Sequence, residues 1–93
     1  MAAETDERFR PAQQVHARRF DGETVVVDLG GGKYFSLDEV GTAIWDHLAS
    51  GLSLAETAQK ILDDYEVNAE TALRDVERMV GELVGAGLLE RRQ

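Results

Sequence analysis

Cysteine is absent from the 93 residues, which removes disulfides, thiolate metal sites and cysteine nucleophiles together. Long apolar runs are missing as well. No stretch approaches the ~20 residues that a membrane-spanning helix needs. The opening MAAETDERFRP is polar and charged, unlike a signal peptide or a membrane anchor. The expectation is a cytoplasmic protein with no membrane partner. Positive charge is scarce over most of the chain. The net charge is −8, and Asp21 to Glu70 holds eleven acidic residues against two lysines, Lys33 and Lys60. A phosphate backbone would be repelled by such a surface, so nucleic acid is not an expected partner.

What is present fits one domain with a single modest core. Residues 1–12 carry no hydrophobic pattern and read as a flexible N-terminal tail, with the folded domain spanning 13–93. QVHARRF alternates, and Asp21-Gly22 is a dipeptide suited to a two-residue hairpin turn. ETVVVDL then sets Val25, Val27 and Leu29 on one face and Val26 and Asp28 on the other, a β-branched period-two strand. After three glycines, KYFSL gives a third short strand. Ser36-Leu37-Asp38-Glu39 has the form of a capping box, and so does Ser53-Leu54-Ala55-Glu56. The first box opens a helix carrying Val40, Gly41, Ile44, Trp45 and Leu48, and Gly51 lies at its end. The second opens a helix with a Leu54, Ala58, Ile61, Leu62, Tyr65 stripe. Asn68 caps a third, longer helix whose stripe runs through Ala72, Leu73, Val76, Met79, Val80, Leu83 and Val84. Gly85 and Gly87 end it, and Leu88-Leu89 return to the sheet. The fold class is α+β, a three-stranded antiparallel meander followed by three helices.

The glycine run invites a phosphate-loop reading that the neighbouring residues do not support. Tyr34 stands where a Ser or Thr would bind magnesium, and the helix starts after the lysine rather than at it. The run is a hairpin turn. His16 and His47 have no pairing spacing, and Asp63, Asp64 and Glu66 lack the alternation and glycine turn of a calcium loop. No enzyme, cofactor or metal is expected. Two short helices before a long one permit a winged-helix topology. However, Glu70, Arg74, Asp75, Glu77, Arg78 and Glu82 give the third helix a net −2, a poor recognition surface. What remains is the edge of the third strand. GGGKYFSL has few charges and no proline to block strand pairing, and beside a wide apolar helix it suits an extended peptide. Cover by the N-terminal tail, or by a second copy pairing its own third strand, fits the same pattern.

At this point YFSLDEVGTAIWDHL, GLSLAETAQKILDDYEV and DVERMVGELVGAGLL resemble the PqqD-like proteins, the RiPP recognition elements that bind leader peptides of ribosomally made natural products. The likeness rests on Leu37-Asp38, Gly41, Ile44-Trp45, Gly51 and Asp75-Val76, and it covers about residues 14–90. It implies a non-catalytic, winged-helix-like βββααα domain without cofactors. The leader would add antiparallel to Lys33–Leu37, in the cleft beside the third helix. Gly32, Lys33, Tyr34, Phe35 and Ser36 would form the strand side of the peptide site, and Arg74, Arg78 and Met79 the helix side. On this likeness Lys33 and the two arginines suit acidic leader side chains, while Val76, Val80 and Leu83, at the centre of the helical stripe, belong to the core. Leu29-Gly30-Gly31-Gly32 replaces the Pro-Glu usual in the pyrroloquinoline quinone chaperone. The form is closer to stand-alone elements of lasso-peptide clusters, which hand the leader to a separate protease. Another radical-SAM peptide pathway stays open, and the rival of a different class is a winged-helix DNA-binding regulator. The expected partners are a precursor leader and its protease or other modifying enzyme, the chain being a monomer or a weak dimer.

Overall fold

The computed structural model describes residues 6–92. The chain runs β1 (Phe9–Pro11), β2 (Val15–Phe20), β3 (Glu23–Asp28), β4 (Tyr34–Leu37), α1 (Glu39–Ala49), α2 (Leu54–Asp64), α3 (Ala69–Gly85) and β5 (Leu89–Arg91). Strands β2, β3 and β4 form the antiparallel meander read from the sequence, in that order, and the three helices follow it. Asp21 and Gly22 both take positive φ, 49° and 84°, which is the primed turn whose twist matches its strands. The register pairs Ala17 with Val26 and Val26 with Phe35, so these residues share one face. That face meets the helices: Thr24 and Val26 are buried, while Val25 and Val27 on the opposite face are half-buried. The Thr42 hydroxyl of α1 donates to the Thr24 hydroxyl at 3.0 Å, tying the helix to the sheet in the interior.

Local signals set the helix starts, with one correction. Ser36 does not cap α1. It lies in β4 opposite Val25, and Asp38 takes the capping role by accepting the Gly41 N–H at 2.8 Å. The strand continues through Leu37, which pairs with Thr24, so the helix cannot open two residues earlier. The second box forms as read: Ser53 Oγ accepts the Glu56 N–H at 3.1 Å, and Glu56 accepts the Ser53 N–H at 2.8 Å. Asn68 caps α3 through the Thr71 N–H at 2.8 Å. Gly51 and Gly87 take the left-handed conformation, with φ of 102° and 78°.

The chain ends depart from the sequence reading. Residues 9–11, expected in a flexible tail, pair with β5 as a second, two-stranded sheet. Phe9 is fully buried beside Leu88 and Leu89 in the same apolar cluster. Residues 1–5 of the expected tail lie outside the described residues. Leu88 and Leu89 do turn back into the core, but onto β1 rather than onto the meander. A three-residue strand with one apolar side chain has no periodicity to read, and its partner lies some eighty positions away. The Leu54 N–H also donates to the Glu7 carbonyl at 2.9 Å, and Arg8 reaches Glu56, so this segment clasps the start of α2.

Candidate functional site

Strand β4 has one neighbour. Its other flank is an open edge among the described residues, and the register identifies which backbone groups lie along it. Asp28 N–H donates to the Lys33 carbonyl at 2.8 Å, so Asp28 and Lys33 form a hydrogen-bonded pair. Antiparallel ladders alternate, so Phe35 and Leu37 also direct their backbone groups to β3. The N–H and C=O of Tyr34 and Ser36 therefore point away from the sheet. An added strand would find two donors and two acceptors there.

Beside this edge lies a cleft of about 410 Å³ between β4 and α3, closed at its base by α1 and the end of α2. Phe35, Ile44, Ile61, Val67 and Met79 supply apolar lining, and Asp38, Asp75, Arg78 and Glu82 supply the charge. The α3 residues recur at i, i+3, i+4 and i+7, one face of a helix. Val76, Val80 and Leu83 are buried in the core.

The sequence-chosen residues separate into three groups. Phe35, Ser36, Arg78 and Met79 meet at the cleft. Tyr34 is on the edge through its backbone, but its side chain is 69% exposed on the far face of the sheet. Gly32 and Lys33 belong to the turn before β4, and Arg74 does not line the cleft. One position from Asp75 rotates a helical side chain by about 100°, and this carries Arg74 to the exposed flank, where it pairs with Glu70 at 2.9 Å. Arg78 sits 3.7 Å from Glu82. The sequence reading passed over Asp38, Val67, Asp75 and Glu82 as cleft residues. Helical spacing from Met79 could have found Asp75 and Glu82, whereas Val67 follows α2 and only the packing brings it in.

The electrostatics run against the expected cationic groove. Three carboxylates face one guanidinium, and the described residues place no lysine there. At the end of α2, Tyr65 has its phenol pushed above the ordinary value, first by burial and then by Glu39, Asp64 and Asp38. The glycine turn holds its own anion: Gly30 N–H donates to the Asp28 carboxylate at 3.0 Å, and Gly32 N–H to the Asp28 carbonyl at 2.8 Å. A side-chain carbon on Gly31 would come within 2.7 Å of that carboxylate, so the turn is not an empty phosphate cradle. Among the described residues no three His, Asp or Glu side chains gather as metal ligands, and no helix is long and apolar enough to cross a membrane.

Residues 23–89 match the protein family described as Coenzyme PQQ synthesis protein D (PqqD). Two solved structures share the fold. One is TbiB1 in complex with the TbiA(beta) leader peptide, with a TM-score of 0.82 at 33% identity over 87% of this chain and 94% of that one. The other is lasso peptide synthetase B1 complexed with the leader peptide, with a TM-score of 0.82 at 29% identity over 89% and 98%. No curated protein matches the chain.

Proposed function

Since this chain belongs to the PqqD family, we propose that it is a stand-alone recognition element that binds the leader of a ribosomal precursor peptide in a lasso-peptide pathway. The observation that carries this is the open β4 edge beside an apolar-floored cleft. Two relatives with this fold are solved with leader peptides bound, which supports the same class of ligand here. The leader adds antiparallel to β4. The backbone groups of Tyr34 and Ser36 bind its main chain, and alternate leader side chains enter between Phe35 and Met79. Main-chain bonds give general affinity, and the side chains in the cleft give selectivity.

The module acts in the cytoplasm without catalysis or cofactor. It presents the precursor to a separate leader protease or other modifying enzyme that performs the chemistry. Nucleic acid is not its ligand, a view supported by the net −2 of the charged α3 side chains. The resemblance to a lasso peptide synthetase B1 favours that pathway over pyrroloquinoline quinone synthesis.

Calorimetric titration with the leader and core halves of a precursor encoded beside the gene tests the reading. Saturable binding of the leader half alone is expected. Equal binding of both halves, or tighter binding of duplex DNA that weakens steeply with salt, overturns it.

A further inference from the structure

The cleft does not offer the charge that an acidic leader would need. Its lining holds Asp38, Asp75 and Glu82 against Arg78 alone, a net −2, and Arg78 lies beside Glu82. Asp75 is half-buried and its side chain has no hydrogen bond or ion pair among the described residues. A strand laid over it would take further water from an unpaired carboxylate, which is costly unless the strand brings a partner.

For a strand laid along α3, spacing sets where that partner would sit. In an extended peptide, residues i and i+2 face the same way about 6.6 Å apart. Along a helix, four residues advance about 6 Å, which is the axial step from Met79 back to Asp75. A leader side chain anchored against Met79 and Phe35 therefore places its next inward neighbour at the level of Asp75. Glu82 lies on the other side of the anchor, where Arg78 already offsets it.

We infer that the cleft selects a peptide with an apolar anchor and, two positions away on the same face, a lysine or arginine that pairs with Asp75. This rests on the strand-addition reading above and reverses the acidic preference drawn from the sequence. It makes Asp75 a specificity-determining residue.

Displayed libraries of short random peptides, selected on the wild-type protein and on Asp75→Lys, test it. The wild type should enrich Lys or Arg two positions from an apolar residue. Changing that cation to Glu in a selected peptide should weaken binding about tenfold. Selection on Asp75→Lys should enrich Asp or Glu at the same position, and Asp75→Asn should lose the preference without reversing it. Should Asp75→Lys fail to fold, the Asn variant alone decides. Amide spectra of each complex separate two kinds of failure. Selected peptides that shift the Tyr34–Ser36 amides but show no charge preference overturn the cation inference and leave strand addition standing. Selected peptides that leave those amides unmoved overturn both.

Discussion

Replacing Ser36 with proline isolates the bond on which strand addition depends. The Ser36 N–H faces the open edge, so its loss leaves the β3–β4 ladder intact. Proline fixes φ near −65°, inside the extended region, and edge strands accept it. Nor is the helix cap at risk, because Asp38 caps α1. In a complex, one donor disappears and one leader carbonyl is left facing a ring. A net hydrogen bond is worth about 1 kcal/mol, and an unpaired buried acceptor costs about 1–3 kcal/mol. The loss should be about 1.5–3 kcal/mol, or roughly tenfold to 150-fold in Kd. Ser36→Ala keeps the N–H and should bind within about twofold of wild type. Phe35→Pro, by contrast, removes a ladder bond and should lower stability even without peptide. Fluorescence anisotropy with a labelled leader measures affinity, and amide spectra establish that each variant is folded. A folded Ser36→Pro protein that binds as tightly as wild type would refute addition at this edge.

Three further outcomes concern the scaffold. Thr57 is fully buried in α2 and its hydroxyl has no partner among the described residues. Thr57→Val should therefore stabilise by about 1 kcal/mol and raise Tm by roughly 4–8 °C in a thermal melt; a lower Tm contradicts the assignment. Phe9→Ala empties a fully buried site and should cost about 3–5 kcal/mol, much of a small domain's total, in a urea titration. A cost near zero would mean that the β1–β5 clasp is dispensable. Glu56 has its carboxyl held below the ordinary value, first by the Ser53 N–H and then by Arg8. A depressed folded-state pKa gives stability that is present above the ordinary glutamate value and lost as pH falls through the folded value. Glu56→Gln should therefore be less stable than wild type at pH 7 and converge with it at strongly acidic pH. A gap that persists in acid would locate the effect elsewhere.

The helices and the central hairpin were legible because their signals are local. Asp21-Gly22, Ser53 with Glu56, Asn68 and Gly87 each act within a few residues of themselves. Phe9–Pro11 was not legible, since it gains order only from β5 at the other end of the chain. Ser36 misled for a related reason: it satisfies the capping pattern, but pairing with β3 holds it in a strand. At the site, alternation identified β4, helical spacing put Met79 in the apolar stripe, and the family likeness singled it out for the cleft. The sign of the groove's charge was not accessible without packing. Arg74 and Asp75 are adjacent in sequence, yet only Asp75 lines the cleft, which leaves three carboxylates there against one guanidinium.

The most direct test of leader binding at β4 is an amide titration of the isotopically labelled protein with leaders encoded beside the gene. Strand addition predicts saturable shifts running through Gly31–Leu37 and along the Asp75–Glu82 side of α3, with slowed hydrogen exchange at the Tyr34 and Ser36 amides. Shifts confined to other surfaces, or the same α3 shifts produced by random duplex DNA while leaders have no effect, would contradict it.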